Sequence, residues 1–170
     1  MVSTPGHADP VFERRDLLHP DAQRLVEAVQ GEYVARYGGR DDTPLDPSAF
    51  ADPTGALYVG YLDVAPVVSG ALRFRDDVEA LGVRRTAEVK RMYVVPAARG
   101  QGLARRMLAH LESAAMEAGC AVVILETGER QPEAIALYTS AGYQTIPGFG
   151  FYRDSPLSRC FARRVVVGGP

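Results

Sequence analysis

The chain is short of several things, and each shortage narrows what it can be. Its 170 residues include two cysteines, Cys120 and Cys160, both in apolar runs. Two such thiols make no disulfide framework and point to a reducing compartment. No apolar run approaches the roughly 20 residues that cross a bilayer, and no apolar segment follows a basic N-terminal start. The expectation is a soluble cytoplasmic protein with no membrane partner. Neither sign of charge is in excess: the formal net charge is -2. That argues against broad nucleic-acid binding and confines any basic site to a local patch. His7, His19 and His110 are scattered, and neither cysteine joins them at metal-ligand spacing, so no metal centre is expected. There is no internal repeat, low-complexity tract or linker. Lys90 is the single lysine among many arginines, a bias that carries no functional reading.

What is present suits one packed domain. Hydrophobic residues make up 46% and charged residues 24%, enough for a sizeable core at this length. Residues 1–10 read as a flexible tail and 11–167 as a single domain. Val11 to Leu17 reads as a strand, and Leu25, Val29, Tyr33 and Tyr37 share one face of a helix that ends at Gly38-Gly39. Ala56 to Leu62 and Val67 to Phe74 form a hairpin around Asp63 to Pro66, and a third strand spans 87–95. A helix follows from about Gly102. Cys120 to Leu125 is a continuous apolar run, as in a strand covered on both faces. A further helix carries Pro132 in its first turn and Gly142 past its end, and strands at Tyr143 to Ile146 and Cys160 to Val167 close the chain. The order is β-α-β-β-β-α-β-α-β-β, an α/β fold with a mixed sheet.

The stretch from Glu88 to Gly119 carries the first chemical signal. An apolar strand runs into Pro96, a short turn holds Gly100 and Gly102, and Leu103, Met107, Leu108, Leu111 and Ala115 then recur at helical spacing. Strand, glycine turn and helix start together aim unpaired N–H groups and the positive end of the helix dipole at one spot, which suits a phosphate. Arg99, Arg105 and Arg106 crowd that same positive end, where like charge is unfavourable unless an anion offsets it. A Walker-type loop would need Gly-Lys-Ser/Thr, but Gly102 is followed by Leu103 and Ala104. A dinucleotide fingerprint would need a third glycine, where Arg105 stands.

The segment RGQGLA, with Arg99, Gly102 and Ala104 in place, resembles the Gln/Arg-x-x-Gly-x-Gly/Ala motif of the GNAT superfamily of N-acetyltransferases. The preceding Val94-Val95-Pro96 and the later run EAIALYTSAGY extend the resemblance over roughly 56–167. It implies a GNAT-like fold: a central mixed sheet splayed between the strands at 87–95 and 120–125, with helices on both faces. It implies acetyl-CoA as co-substrate, with its pyrophosphate held along Arg99, Gly100, Gln101, Gly102, Leu103, Ala104 and Arg105, and its pantetheine amides paired to the backbone of Met92 and Val94. Where the family often carries Asn before the second helix, this chain has Gln131, which brings the same amide on a longer stem.

Acetyl transfer to an amine needs a base for the amine proton and a donor for the departing thiolate. By resemblance Tyr138 is the general acid, and Glu88, Glu126 or a water is the base. Arg73, Arg153 and Arg159 are candidates for an acceptor carboxylate, and Phe149, Phe151 and Tyr152 for an apolar slot or a homodimer contact. The implied acceptor is a primary amine of a small molecule or peptide. A catalytically silent acyl-CoA-binding module is the competing reading.

Overall fold

The computed structural model describes residues 9–44 and 46–165. Most of the tail expected at 1–10, and the last part of the strand expected to reach 167, lie outside the described residues. The elements are β1 (Val11–Arg14), α1 (Pro20–Tyr37), β2 (Gly55–Leu62), β3 (Ala65–Arg75), β4 (Thr86–Val94), α2 (Leu103–Glu117), β5 (Val122–Gly128), α3 (Pro132–Ser140), β6 (Gln144–Ile146) and β7 (Ser158–Arg164), with 3-10 turns at Pro47–Phe50 and Pro96–Ala98. This is the expected order. The seven strands form one mixed sheet in the order β1-β2-β3-β4-β5-β7-β6.

The sheet is covered on both faces. On one side α2 lays down the predicted stripe: Leu103, Met107, Leu108, Leu111 and Ala115 are all buried, against Val68, Leu72, Val89 and Val123. Each large member of such a stripe contributes about 1.5–3 kcal/mol by leaving water. α3 joins this face through Tyr138. On the other side Leu25 and Val29 of α1 pack on Leu57, Val59, Ala71 and Tyr93. A smaller cluster there covers Val122 and Ile124 of β5, with Cys160, Ala162 and Phe149. Cys120 and Cys160 are free, buried thiols.

Two irregularities create the site. β4 and β5 run parallel and pair only from Thr86↔Val122 to Val89↔Leu125. Beyond that they part, so the sheet is splayed where the resemblance placed the opening. β5 nevertheless continues to Gly128, because β7 pairs with it along its full length. The expected boundary at Leu125 was therefore three residues early, and Glu126 stands within the strand rather than in a polar connection. β4 in turn carries a bulge. Ser69 pairs with Tyr93 and Ala71 with Lys90, so Arg91 and Met92 together face Gly70, and Arg91 has φ 57. Gly70 also lets α2 come close: a Cβ there would lie 2.8 Å from Leu111 Cδ1 and 2.9 Å from Met107 Cγ.

Candidate active site

The splay opens into a cleft of about 680 Å³, floored by β4 and β5 and walled by α1, the segment after it, the start of α2, α3 and the β6–β7 loop. Its donor end is built from backbone. Gly100 and Gly102 have φ +77 and +74, and a Cβ at either would meet no protein atom within 4 Å. They serve the turn's left-handed backbone rather than close packing. Gly102 is the N-cap of α2 and supplies no side-chain cap. The first helical bond runs from Arg106 N–H to Gly102 O, and none of the N–H groups from Gly100 to Arg105 donates to a protein acceptor among the described residues. A row of unpaired donors at a helix start is a standing anion site.

The three arginines divide. Arg99 and Arg105 line the cleft, and Arg106 turns away to pair with Asp9. Arg99 is held three ways: Nε donates to Val94 O at 3.0 Å, its guanidinium lies 5.6 Å from the Tyr93 ring centre, and Nη2 pairs with Glu32. Among the described residues Arg105 donates only to the Ser140 hydroxyl. The crowding of positive charge seen in the sequence is thus partly answered from within the protein. Met92, Val94, Leu103, Ala104 and Gln131 also line the cleft, whereas Gln101 is exposed and outside it. The Gln131 amide donates weakly to the Tyr37 hydroxyl, 3.4 Å away. Along the helical face that the sequence shows, Leu25 and Val29 are core, and Tyr33 and Tyr37 line the cleft.

Glu126 and Tyr138 share this cleft, approached from opposite faces of the sheet. Glu126 follows Ile124 on the α1 side, and Tyr138 packs on the α2 side near Tyr143 and Phe161. Burial raises the Glu126 carboxyl above its ordinary value; the Lys90 charge opposes this and Glu88 adds to it. The Cys160 thiol lies 3.9 Å from Glu126 Oε2. Burial also raises the Tyr138 hydroxyl well above the usual phenol value. Among the described residues that hydroxyl has no hydrogen-bond partner, and Tyr138 lines the cleft.

Glu88 is placed differently. It is buried beneath Arg73 and Arg75, whose guanidiniums lie 2.7 and 2.6 Å from Oε2, with Lys90 Nζ at 3.8 Å from Oε1, and it does not line the cleft. Two arginines of β3, the strand paired with β4, thus cover the Glu88 carboxylate. Arg73 is spent on that contact. Arg159 is spent on Glu129 and two carbonyls, Arg153 faces Asp154 in solvent, and none of the three lines the cleft. Of the aromatics, Phe149 is core, Phe151 is exposed, and only Tyr152 borders the cleft. The sequence reading missed Lys90 and Arg91 as cleft residues. Nothing in their spacing shows that a β4 bulge will aim Arg91 at the segment after α1.

Among the described residues no three His, Cys, Asp or Glu side chains gather at metal-binding distance, and no helix is long and apolar enough to cross a membrane. An unpaired N–H row at a helix start, a splayed pair of parallel strands, a carboxyl and a phenol thus border one cleft, a layout compatible with acyl transfer. The profile of the acetyltransferase (GNAT) family matches residues 19–143, and the chain belongs to that family. It is 46% identical to the IAA acetyltransferase of Azospirillum brasilense over 85% of this chain and 91% of that protein. A Klebsiella pneumoniae structure, provisionally described as an acyl-CoA N-acyltransferase, superposes with a TM-score of 0.73 at 28% identity, covering 92% of this chain and 98% of the other. A GNAT family acetyltransferase from Elizabethkingia anophelis with acetyl-CoA bound shares the fold at a TM-score of 0.64 and 15% identity, over 91% and 97% of the two chains.

Proposed function

We propose that the chain transfers the acetyl group of acetyl-CoA to a primary amine of a small molecule or peptide, by direct attack, with Glu126 as general base and Tyr138 as general acid. One observation carries the reading: the bare N–H groups of Gly100 and of Gly102 to Arg105, together with Glu126 and Tyr138, border one cleft. The donor's pyrophosphate lies on that row, with Arg99 and Arg105 beside it. The pantetheine arm lies along β4 beyond Val89, where the strand has lost its β5 partner, and its amides pair with Met92 and Val94 as an added strand would. Solved relatives hold acetyl-CoA on this fold, which supports the same donor here.

The amine nitrogen attacks the thioester carbon from the Glu126 side, and its proton passes to that carboxylate directly or through water. Glu126, with its raised affinity for protons, is better matched to such a transfer than an ordinary surface carboxylate. Glu88 is the poorer base, because Arg73, Arg75 and Lys90 occupy its carboxylate oxygens and it does not line the cleft. As the carbon–sulfur bond breaks, the Tyr138 hydroxyl donates to the leaving sulfur. Burial keeps that hydroxyl protonated throughout the working range, so the donor is always charged with its proton. The small-molecule arm is favoured by the likeness to an IAA acetyltransferase.

The test is thiol release from acetyl-CoA against a panel of alkyl amines, arylalkyl amines, amino acids and dipeptides, beside acetyl-CoA titration by calorimetry. Tyr138→Phe and Glu126→Gln are expected to keep donor affinity and lose about tenfold or more in kcat. Donor binding without thiol release on any amine would instead support a silent acyl-CoA-binding module. No donor binding at all would remove the reading.

A further inference from the structure

The acceptor end of the cleft is held by a buried ion pair that the transfer chemistry leaves unused. Arg91, at the β4 bulge, has φ 57, a left-handed backbone that non-glycine residues keep only where their surroundings enforce it. Its Nη1 donates to Asp41 Oδ2 at 2.6 Å, and the two side chains are only 7% and 13% exposed. Asp41 belongs to the segment between α1 and the 3-10 turn. Its Oδ1 accepts from the Thr43 N–H at 3.0 Å and from Thr43 Oγ1 at 2.6 Å, and its own N–H donates to Gln30 Oε1 at 2.9 Å. The next N–H, of Asp42, donates to the Tyr152 hydroxyl at 2.9 Å, from the β6–β7 loop.

Strand floor, helix α1, the segment after it and the β6–β7 loop therefore meet at one node. The node spans the splay, since β4 lies on one side of the opening and the β6–β7 loop on the other. The bonds from Thr43 hold Asp41 within its own stretch of chain, and its N–H bond to Gln30 ties it to α1. Among the described residues, only Arg91 hydrogen-bonds Asp41 to the strand floor.

We propose that Arg91 and Asp41 are positioning residues: together they seat residues 39–43 as the acceptor-side wall of the cleft. Acceptor affinity depends on them and donor affinity does not. The proposal rests on the transfer reading above. Other features support the same node. Burial would raise the Asp41 carboxyl, but Thr43, the Lys90 charge and Arg91 outweigh it and hold it at about 2, so the pair stays ionised. A planar guanidinium also fixes direction in a way that a lysine ammonium does not.

The test uses the full chain and the amine giving the fastest thiol release in the panel. Removing one partner strands a buried charge, so the main variant is the double D41N/R91M, checked for a cooperative melt. Its acetyl-CoA Kd is expected within about twofold of wild type, with acceptor KM raised about tenfold or more. Amide exchange at Asp41 and Asp42 is expected to rise about tenfold or more, while α2 stays protected. Tyr152→Phe, which disturbs only the far end of the node, is expected to raise acceptor KM by a smaller factor, and R91K to retain part of the wild-type affinity. A folded double variant with unchanged acceptor KM, or with unchanged exchange at Asp41 and Asp42, overturns the proposal. An equal loss of donor affinity overturns its confinement to the acceptor side. If the double variant does not fold, unchanged acceptor KM in Tyr152→Phe overturns it alone. Wild-type protein that binds no acetyl-CoA refutes the transfer reading instead.

Discussion

Glu32 shares the Arg99 guanidinium with any incoming phosphate, and that sharing makes a measurable prediction. The guanidinium is paired with Glu32 across the donor end of the cleft, so an incoming pyrophosphate meets a cation already partly neutralised and a carboxylate that repels it. Removing the competitor by Glu32→Gln is expected to tighten acetyl-CoA binding. The side chains are 43% and 30% exposed, and a pair this wet is worth about 0.2–1 kcal/mol. Since about 1.4 kcal/mol is tenfold in affinity, Kd should fall by up to about fivefold. Arg99 will not be left loose by the change, because its bond to Val94 O and its stacking on Tyr93 do not involve Glu32. Calorimetric titration with acetyl-CoA at low and high salt is the assay, and the gain should shrink with salt. Arg99→Ala supplies the control: in that background Glu32→Gln should gain nothing. An unchanged or weaker Kd in Glu32→Gln, or a gain that survives without Arg99, would show that Arg99 does not meet the phosphate.

Further outcomes are expected. Gly70→Ala places a methyl against Met107 and Leu111 and should cost about 1–3 kcal/mol in chemical denaturation, an overpacking penalty. His110 is wedged between Phe12 and Tyr58 with Nε2 buried and unpartnered; burial lowers its pKa, with Glu117 opposing weakly. The unfolded chain then takes up the proton first, so stability should fall as pH drops below about 6.5, and His110→Leu should flatten that part of the denaturation profile. Asp41, held at about 2 against an ordinary 3.8, contributes about 2 kcal/mol that is present above pH 4 and lost as pH falls toward 2; D41N/R91M should lose that limb of the acid-unfolding curve. The raised Glu126 carboxyl should set the acid limb of kcat/KM, which should vanish in Glu126→Gln.

Much of this was legible in the chain, for reasons that are local. The α2 stripe from Leu103 to Ala115 and the turn at Gly100 and Gly102 follow from periodicity and backbone freedom, and the structure places both where the sequence does. The splay was expected only through family resemblance, since no local pattern tells two parallel strands where to part. The polar residues were the hardest to read. Glu88 and Glu126 occupy similar strands and look alike in sequence. Which one reaches the cleft depends on two arginines of β3 that cover the first and on β7 carrying β5 past Leu125. Both are long-range pairings. Arg91 was invisible for a related reason: only the bulge opposite Gly70 turns it toward Asp41.

The splay has a consequence beyond making room. Carboxyl and phenol approach the cleft from opposite sides of the sheet, so a bond made between them is made through a window in the sheet rather than on its surface. On the proposed roles of Glu126 and Tyr138, donor and acceptor meet from opposite sides of the sheet, and neither needs to leave for the other to arrive. Such a layout favours a ternary complex over a relay through an acetylated side chain. Initial-rate plots at varied donor and acceptor should give intersecting lines, with dead-end CoA competing against acetyl-CoA alone.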